Sequence, residues 1–407
     1  MTQKSLHSIC IIAFSTIRHD ARVLRQIKYL SPHYDVIVVG YGAPEEKWAT
    51  QGGIRWYPLD TLESFPAECS FTRMWRRLIN SAILGLGRFR PLFYERWYWS
   101  KRHHAQALEY AIQSHCDALL ANDWEALPVA VEAATRTGAK LVFDSHEYAP
   151  LEFGNLPSWR FFFRRAIVHF LKKYSSQIDA SVAAWPVISE RYRREFGFEP
   201  LVLLNAPESV LLDERPLDFD HVRLVHHGVA IKGRRLENMI MTLATSHPRF
   251  QLHFILIEGD SGYLDELKEL AERRAPGRIF FENPVQPEEI VERISEYDIG
   301  FYLLAPTSFN NQMSLPNKLF DYIAAGLAVF IGPSPSMAEI VRQYGLGWVA
   351  PSFEPKDVTE TLNQITYDQL LHRRLASRDT AKKFDAVTEM TKLVNIFDRF
   401  FCSTHSL

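Results

Sequence analysis

The chain predicts an α/β protein built from two Rossmann-like domains, each a doubly wound parallel sheet, facing one another across a cleft. Three observations carry this. Its 407 residues exceed one ordinary domain. Short apolar runs of buried-strand type alternate with helical patterns through the first half, and the second half repeats the alternation with its own strands. An apolar fraction of 47% with 13% aromatics fills two cores and excludes a disordered chain.

The elements follow in order. Ser8 to Phe14 is an apolar strand, Asp20 to Leu30 a helical pattern, and Asp35 to Tyr41 a second strand. After an interruption come a strand at 117–122, a helix from Ala126 and a strand at 140–143. A strand at 179–184, a helix at 187–196 and a strand at 201–204 complete the half. The second half places strands at 223–227, 252–258, 279–282, 299–304, 328–331 and 347–349, with helices at 234–245, 263–273, 287–295 and 316–325. The segment from Ala206 to about Asp220 is rich in turn formers and acid, as a linker should be. The expected division is therefore 1–207, 208–378, and a terminal helix at 379–407 packing back on the first domain.

Bulk properties exclude several classes. A net charge of -2 argues against a general nucleic-acid binder. Cys10, Cys69, Cys116 and Cys402 are far apart, as reduced cytosolic thiols are, and form no C-x-x-C pair. The start, Met1 to Ser8, is polar and the apolar run behind it stops at Phe14, too short for a signal peptide or a membrane span, so a cytoplasmic location is expected. No metal-ligand cluster shows. His226 and His227 occupy consecutive strand positions that point to opposite faces, which disfavours joint ligation, and His103–His104 is similarly unpersuasive.

The segment Ser314-Leu-Pro-Asn-Lys-Leu-Phe-Asp-Tyr-Ile-Ala-Ala-Gly reads as a helix running into the strand at 328–331. Pro316 suits the first helical position, and Gly326 suits the left-handed position past the end. Asn317 and Asp321 share one face with Lys318 beside them. The helix N-terminus suits a phosphate, and a carboxylate one turn on can accept from ribose hydroxyls. The same spacing also fits an ordinary amphipathic helix.

Other strand ends carry chemistry. His226-His-Gly-Val-Ala-Ile-Lys-Gly-Arg-Arg gives a strand, the Gly228 turn, then Lys232, Arg234 and Arg235 at a helix start, a layout that holds a diphosphate or forms a solvated basic turn. The strand ending at Phe143 runs into Asp144-Ser-His-Glu, where His146 or Glu147 suits a general base or a sugar-hydroxyl partner, while Asp144 suits a turn cap. The loop after the first strand has no G-x-G-x-x-G, so a dinucleotide is disfavoured there. In that loop Arg18, His19 and Arg22 are placed to touch an acceptor, and Asp20 suits an N-cap. Residues 71–102 and 159–173 concentrate arginine and lysine among aromatics, as a surface resting on anionic lipid would, or a packed helix pair with an arginine rim.

At these residues the chain resembles the GT-B glycosyltransferases, the family 4-like nucleotide-sugar-dependent group that builds bacterial surface polysaccharides. The resemblance covers both halves. It is strongest in Leu315-Pro-Asn-Lys-Leu-Phe-Asp-Tyr-Ile-Ala-Ala-Gly-Leu-Ala-Val, then in His227-Gly…Lys-Gly-Arg-Arg-Leu-Glu, in Phe143-Asp-Ser-His-Glu and in Leu204-Asn-Ala-Pro. It implies that Asp321 binds the donor ribose, that Arg234 or Lys232 binds the diphosphate, and that the loop at Pro284-Val285 holds the base through main-chain groups. Two departures stand out. Most relatives carry glutamate at the position of Asp321, and many retaining members carry another eight residues earlier, where this chain has Met313.

The expectation is a metal-independent transferase without a cofactor, moving a sugar from a UDP- or GDP-linked donor to a glycan or lipid-linked acceptor. Gly228, Lys232, Arg234, Val285, Ser314, Leu315, Asn317, Lys318 and Asp321 would bind the donor. Asp144, His146 and Glu147 would act on the acceptor bound by Arg18, His19 and Asp20. The protein would sit peripherally on the inner face of the membrane and bind no nucleic acid. A non-catalytic binding subunit or a sugar-nucleotide epimerase on the same fold are the alternatives.

Overall fold

The computed structural model describes residues 7–42, 53–60, 82–208, 210 and 215–402. Phe71, Arg73, Trp75, Arg76 and Arg77 of the first basic-aromatic segment lie outside them, as does Cys69. The chain divides into two compact units, Met1–Leu203 with Met390–Leu407, and Leu204–Glu389.

The first unit is built on β1 (Ser8–Thr16), β2 (Asp35–Tyr41), β3 (Ile54–Leu59), β4 (Ala118–Asn122), β5 (Lys140–Ser145), β6 (Ala180–Ala183) and β7 (Leu201–Val202). They form one sheet in the order β3-β2-β1-β4-β5-β6-β7, and every recorded pairing is parallel. Alternate residues Ile9, Ile11 and Ala13 meet Val23, Ile27 and Leu30 of α1 (Ala21–Leu30) and Leu393 and Phe397 of the terminal helix (Ala386–Cys402). Period two puts these residues on one face, and Cys10 and Ile12, equally buried, line the other. The edge strand β3 is absent from the sequence prediction because Arg55 and Pro58 break its apolar run, and an edge tolerates a proline.

The second unit uses β8 (Val222–Ala230), β9 (Phe250–Glu258), β10 (Ile279–Glu282), β11 (Ile299–Tyr302), β12 (Ala328–Ile331) and β13 (Gly347–Val349) in the order β10-β9-β8-β11-β12-β13, again parallel. Phe254, Phe301 and Phe330 are fully buried in its core. Truncating one of them to alanine would cost about 3–5 kcal/mol. In both sheets the strand order reverses once, between β1 and β4 and between β8 and β11. Those reversals open a crevice at the carboxyl ends, where ligands of such sheets bind.

Three local expectations shift. The helix after β4 begins at Asp123, not Ala126. Asp123 takes a left-handed φ of +62° directly behind the strand, which a short acidic side chain tolerates, so no connecting loop is needed. The basic turn after β8 is a 3-10 turn, Lys232–Arg234, and the α-helix behind it starts only at Glu237. Arg235 causes the break by adopting φ +53°. Pro316 caps its helix in an extended conformation instead of opening it, and Asn317 is the first helical residue.

Candidate functional site

In the second unit, the carboxyl end of β8 carries His226, His227 and Gly228, and the helix α2 (Asn317–Ala324) supplies Lys318 and Asp321. Two glycines set this geometry. A Cβ on Gly300 of β11 would lie 2.1 Å from the Tyr322 ring, so the bare backbone lets α2 press its tyrosine flat against the strand. Gly326, at φ +69°, stops α2: its N–H and that of Leu327 return to the carbonyls of Ile323 and Tyr322.

Gly228 has φ +128°, and a Cβ there would lie 2.7 Å from Lys318 Nζ and 3.6 Å from an Arg234 guanidinium nitrogen. Two cationic heads therefore converge over bare backbone. Arg234 is oriented by donating to the Val229 carbonyl at 3.0 Å. Lys318 Nζ lies 5.5 Å from the centre of the Tyr302 ring. Burial, joined by the Arg234 charge and opposed by Asp321, pulls the Lys318 pKa down to about 7. Two cations held this close call for an anion between them.

Asp321 is buried one turn beyond, its Oδ2 3.4 Å from His227 Nε2. Burial, then the charge of Lys318, hold His226 and His227 well below the ordinary histidine range, so both are neutral. His226 Nδ1 lies 3.0 Å from the Phe301 carbonyl, an acceptor that fixes the proton on this nitrogen.

The remaining donor candidates scatter. Lys232 turns away, its Nζ 2.8 Å from Glu266, so the second cation of the cradle is Lys318. Asn317 is exposed, while Leu315 is buried ahead of it and Ser314 half-buried. Val285 follows β10, which β9 separates from β8.

In the first unit, parallel register sets Asn122 of β4 beside Asp144 of β5. Arg22 donates to both carboxylate oxygens of Asp144, from Nε at 2.7 Å and from a terminal nitrogen at 2.8 Å. Gln26 donates to the same Asp144 at 2.6 Å and to Asn122 at 2.9 Å. Burial would raise the Asp144 pKa, but Arg22 and His146 hold it down at about 2. Asp144 is thus an ionised anchor with both oxygens engaged.

His146 lies 3.6 Å from Asp144, 3.4 Å from Asp123 and 3.1 Å from the Asn122 side-chain oxygen. Against the cost of burial, Asp123 and Asp144 raise its pKa to about 9, leaving it an imidazolium at neutral pH. Glu147 is exposed, and its carbonyl accepts from Tyr192. Arg18 and His19 are exposed and meet each other at 3.0 Å. Asp20 caps α1, accepting from Val23 N–H and from Ser15. The structure brings His146 and Asp144 together, while Arg18 and His19 meet each other at the surface.

Two features escaped the sequence. Glu152 has its pKa raised to about 8 by burial and by the charges of Asp123, Glu147 and Glu125, so its carboxyl is protonated at neutral pH. Nothing in local spacing marks it. His103 and His104 do acquire a partner, Glu125, which stands in the same first helical turn as Asp123.

No family model matches the chain, and no curated protein matches it in sequence. Solved structures do. The chain is similar to the Anabaena protein HepE in complex with UDP and glucose, at 15% identity and TM-score 0.67, over 97% of this chain and 100% of that one. A glycosyltransferase from Rickettsia africae matches at 12% identity and TM-score 0.68, covering 97% and 99%. Sucrose-phosphate synthase from Thermosynechococcus elongatus matches at 11% identity and TM-score 0.70, covering 98% and 100%. Together with its two parallel sheets, these likenesses show that the chain has the GT-B fold.

Proposed function

We propose that the protein is a glycosyltransferase that moves a sugar from a nucleoside diphosphate donor, UDP- or GDP-linked, to a glycan or lipid-linked acceptor in surface polysaccharide synthesis. One observation carries it: Lys318 and Arg234 converge over Gly228 at the switch point of the second sheet, with Asp321 one helical turn away. A diphosphate seated there receives two charge-assisted contacts, and Asp321 is within a helical turn to accept from ribose. As the sugar leaves, negative charge grows on the diphosphate, where these cations stabilise it without a metal. Structures of the same fold hold UDP and UDP-glucose, which supports a nucleotide sugar as the ligand.

On the acceptor side, His146 carries a proton at neutral pH, so its ready role is to donate to a hydroxyl or phosphate. This supports a positioning part for His146, with Asp144 and Asn122 fixing the ring, over a resting general base. Thermal-shift and hydrolysis screens against UDP, GDP and their sugars test the donor reading. Stabilisation by one nucleotide, lost in Asp321→Ala, is expected. No response to any nucleotide would refute it and favour a non-catalytic subunit, while acceptor-free conversion of the donor sugar would favour an epimerase.

A membrane partner belongs to the same proposal. Phe89 is 80% exposed, Leu92 65% and Phe161 55%. Arg88 lies 6.0 Å from the Phe161 ring, which joins two segments distant in sequence into one patch. Arg90, Arg160 and Arg164 are in the same two segments, and apolar side chains among arginines suit anionic headgroups. No helix of the described residues is long and apolar enough to cross a membrane, so the attachment proposed is peripheral, on the cytoplasmic face.

A further inference from the structure

The first unit holds a second cluster that the sugar-transfer reading does not use. His103 and His104 open the helix Arg102–Gln113, and Glu125 reaches them from the first turn of the helix behind β4. Ligand atoms of all three lie within 4.8 Å of one another. Both imidazoles pack on Phe14 of β1, with ring centres at 5.5 and 4.7 Å, so the cluster is braced against the sheet.

His104 is fully buried. Its Nδ1 lies 2.9 Å from the Tyr98 carbonyl, which can only accept, so Nδ1 carries a proton. Its Nε2 faces Glu125 Oε1 at 3.0 Å, and the Lys101 ammonium nitrogen lies 2.7 Å from the same oxygen. Two imidazoles and a carboxylate thus converge, with the ring orientation of His104 fixed from behind by a backbone carbonyl.

We propose that His103, His104 and Glu125 bind one divalent transition metal of the zinc class. Two imidazoles and one carboxylate form the donor set that such ions favour, and three ligands leave a fourth position for water or substrate. His104 donating its other ring N–H to a backbone carbonyl is the usual orienting contact behind a metal-bound histidine. His103 and Glu125 are partly exposed, at 23% and 29%, so the ion has a way in. His103 Nε2 stands 4.0 Å from Glu125 Oε1, a separation that an ion between them spans. Lys101 holds the place in the metal-free state. Its Nζ lies 2.7 Å from Glu125 Oε1 and 4.4 Å from the Trp97 ring, which gives the ammonium a second seat when the ion enters.

The full chain, stripped by chelator, is titrated with Zn²⁺ by calorimetry and with Co²⁺ by visible absorption. One equivalent should bind, with a tetrahedral Co²⁺ spectrum and a rise in Tm. His103→Ala, at a partly exposed position, should weaken binding at least tenfold while the apo fold stays unchanged by circular dichroism. Lys101→Met should tighten it, because the competing ammonium is gone. The proposal is overturned by no saturable binding up to about a hundred micromolar Zn²⁺, or by affinity that neither variant moves. It is also overturned if ¹⁵N NMR finds His104 doubly protonated at neutral pH and unaffected by Zn²⁺. None of these readouts involves sugar transfer, so failure here leaves the donor proposal standing.

Discussion

Lys318 gives the proposed donor site a titration that can be measured. Its pKa of about 7 means that the free protein carries this charge below neutrality and loses it above. A bound diphosphate restores the charge, so binding above pH 7 must first take up a proton. The protonated fraction falls from about nine-tenths at pH 6 to about three-hundredths at pH 8.5, a ratio near 30 and about 2 kcal/mol of affinity. A nucleotide sugar is the right probe, because its diphosphate is a diester with no proton to lose in this range. Burial, then the Lys318 charge, hold His226 and His227 well below the ordinary histidine range, so Lys318 is the group expected to set the slope. Calorimetry with UDP- and GDP-sugars across this range should therefore show weakening as pH rises. Lys318→Arg should bind without the slope, since a guanidinium keeps its charge, and Lys318→Met should bind weakly and flat. A native affinity independent of pH, or a slope that survives in Lys318→Met, would refute the cradle. Stability shifts the opposite way. An unfolded lysine titrates near 10.4, so between about pH 7 and 10 the unfolded chain holds more protons and ligand-free stability rises with pH, by at most about 1.4 kcal/mol per unit. Lys318→Met should accordingly raise the Tm of the ligand-free protein at neutral pH.

Gly228→Ala puts a methyl 2.7 Å from Lys318 Nζ at a φ of +128°. It should cost about 1–3 kcal/mol of strain and at least tenfold in donor affinity, read by calorimetry beside thermal unfolding. Asp144→Asn removes the charge that faces the buried Arg22 and should destabilise by about 3–5 kcal/mol, lowering Tm clearly. Because the folded pKa of Asp144 is depressed to about 2, its stabilisation is full above about pH 4 and fades as pH falls toward 2. Acid unfolding of Asp144→Asn should lack that component. Vesicles with about a third anionic lipid should carry the protein in flotation at low salt, neutral vesicles should not, and Phe89→Asp with Phe161→Asp should release it. Full recovery of the native protein in the soluble fraction would sink the membrane proposal.

The sheets were legible because parallel strands buried on both faces write themselves as unbroken apolar runs, as Val36 to Val39 and Ala328 to Ile331 do. β3 lacked that signature and was lost. The α2 segment was legible for a different reason, since its stop rests on one glycine whose backbone demands that residue. Chemistry that depends on pairing across the chain was not legible. The sequence shows Lys232 and Lys318 as equal cations, and only the fold brings Glu266, 34 residues on, to occupy the first. Arg22 looked like a ligand contact until Asp144, 122 residues away, claimed it.

These losses share one physical cause. A side chain's charge becomes chemistry only when its partner is known, and partners in a doubly wound sheet come from neighbouring strands that are remote in sequence. The position of each site was nevertheless implied. Both polar networks stand at carboxyl ends of strands beside the order reversals, the first on β4 and β5 with Arg22 and Gln26 reaching in from the helix after β1, the second on β8. Position thus follows from topology and identity from pairing. Lys318 and His146 show the consequence, for their protonation states, opposite in direction, are set by the neighbours that the fold assigns them.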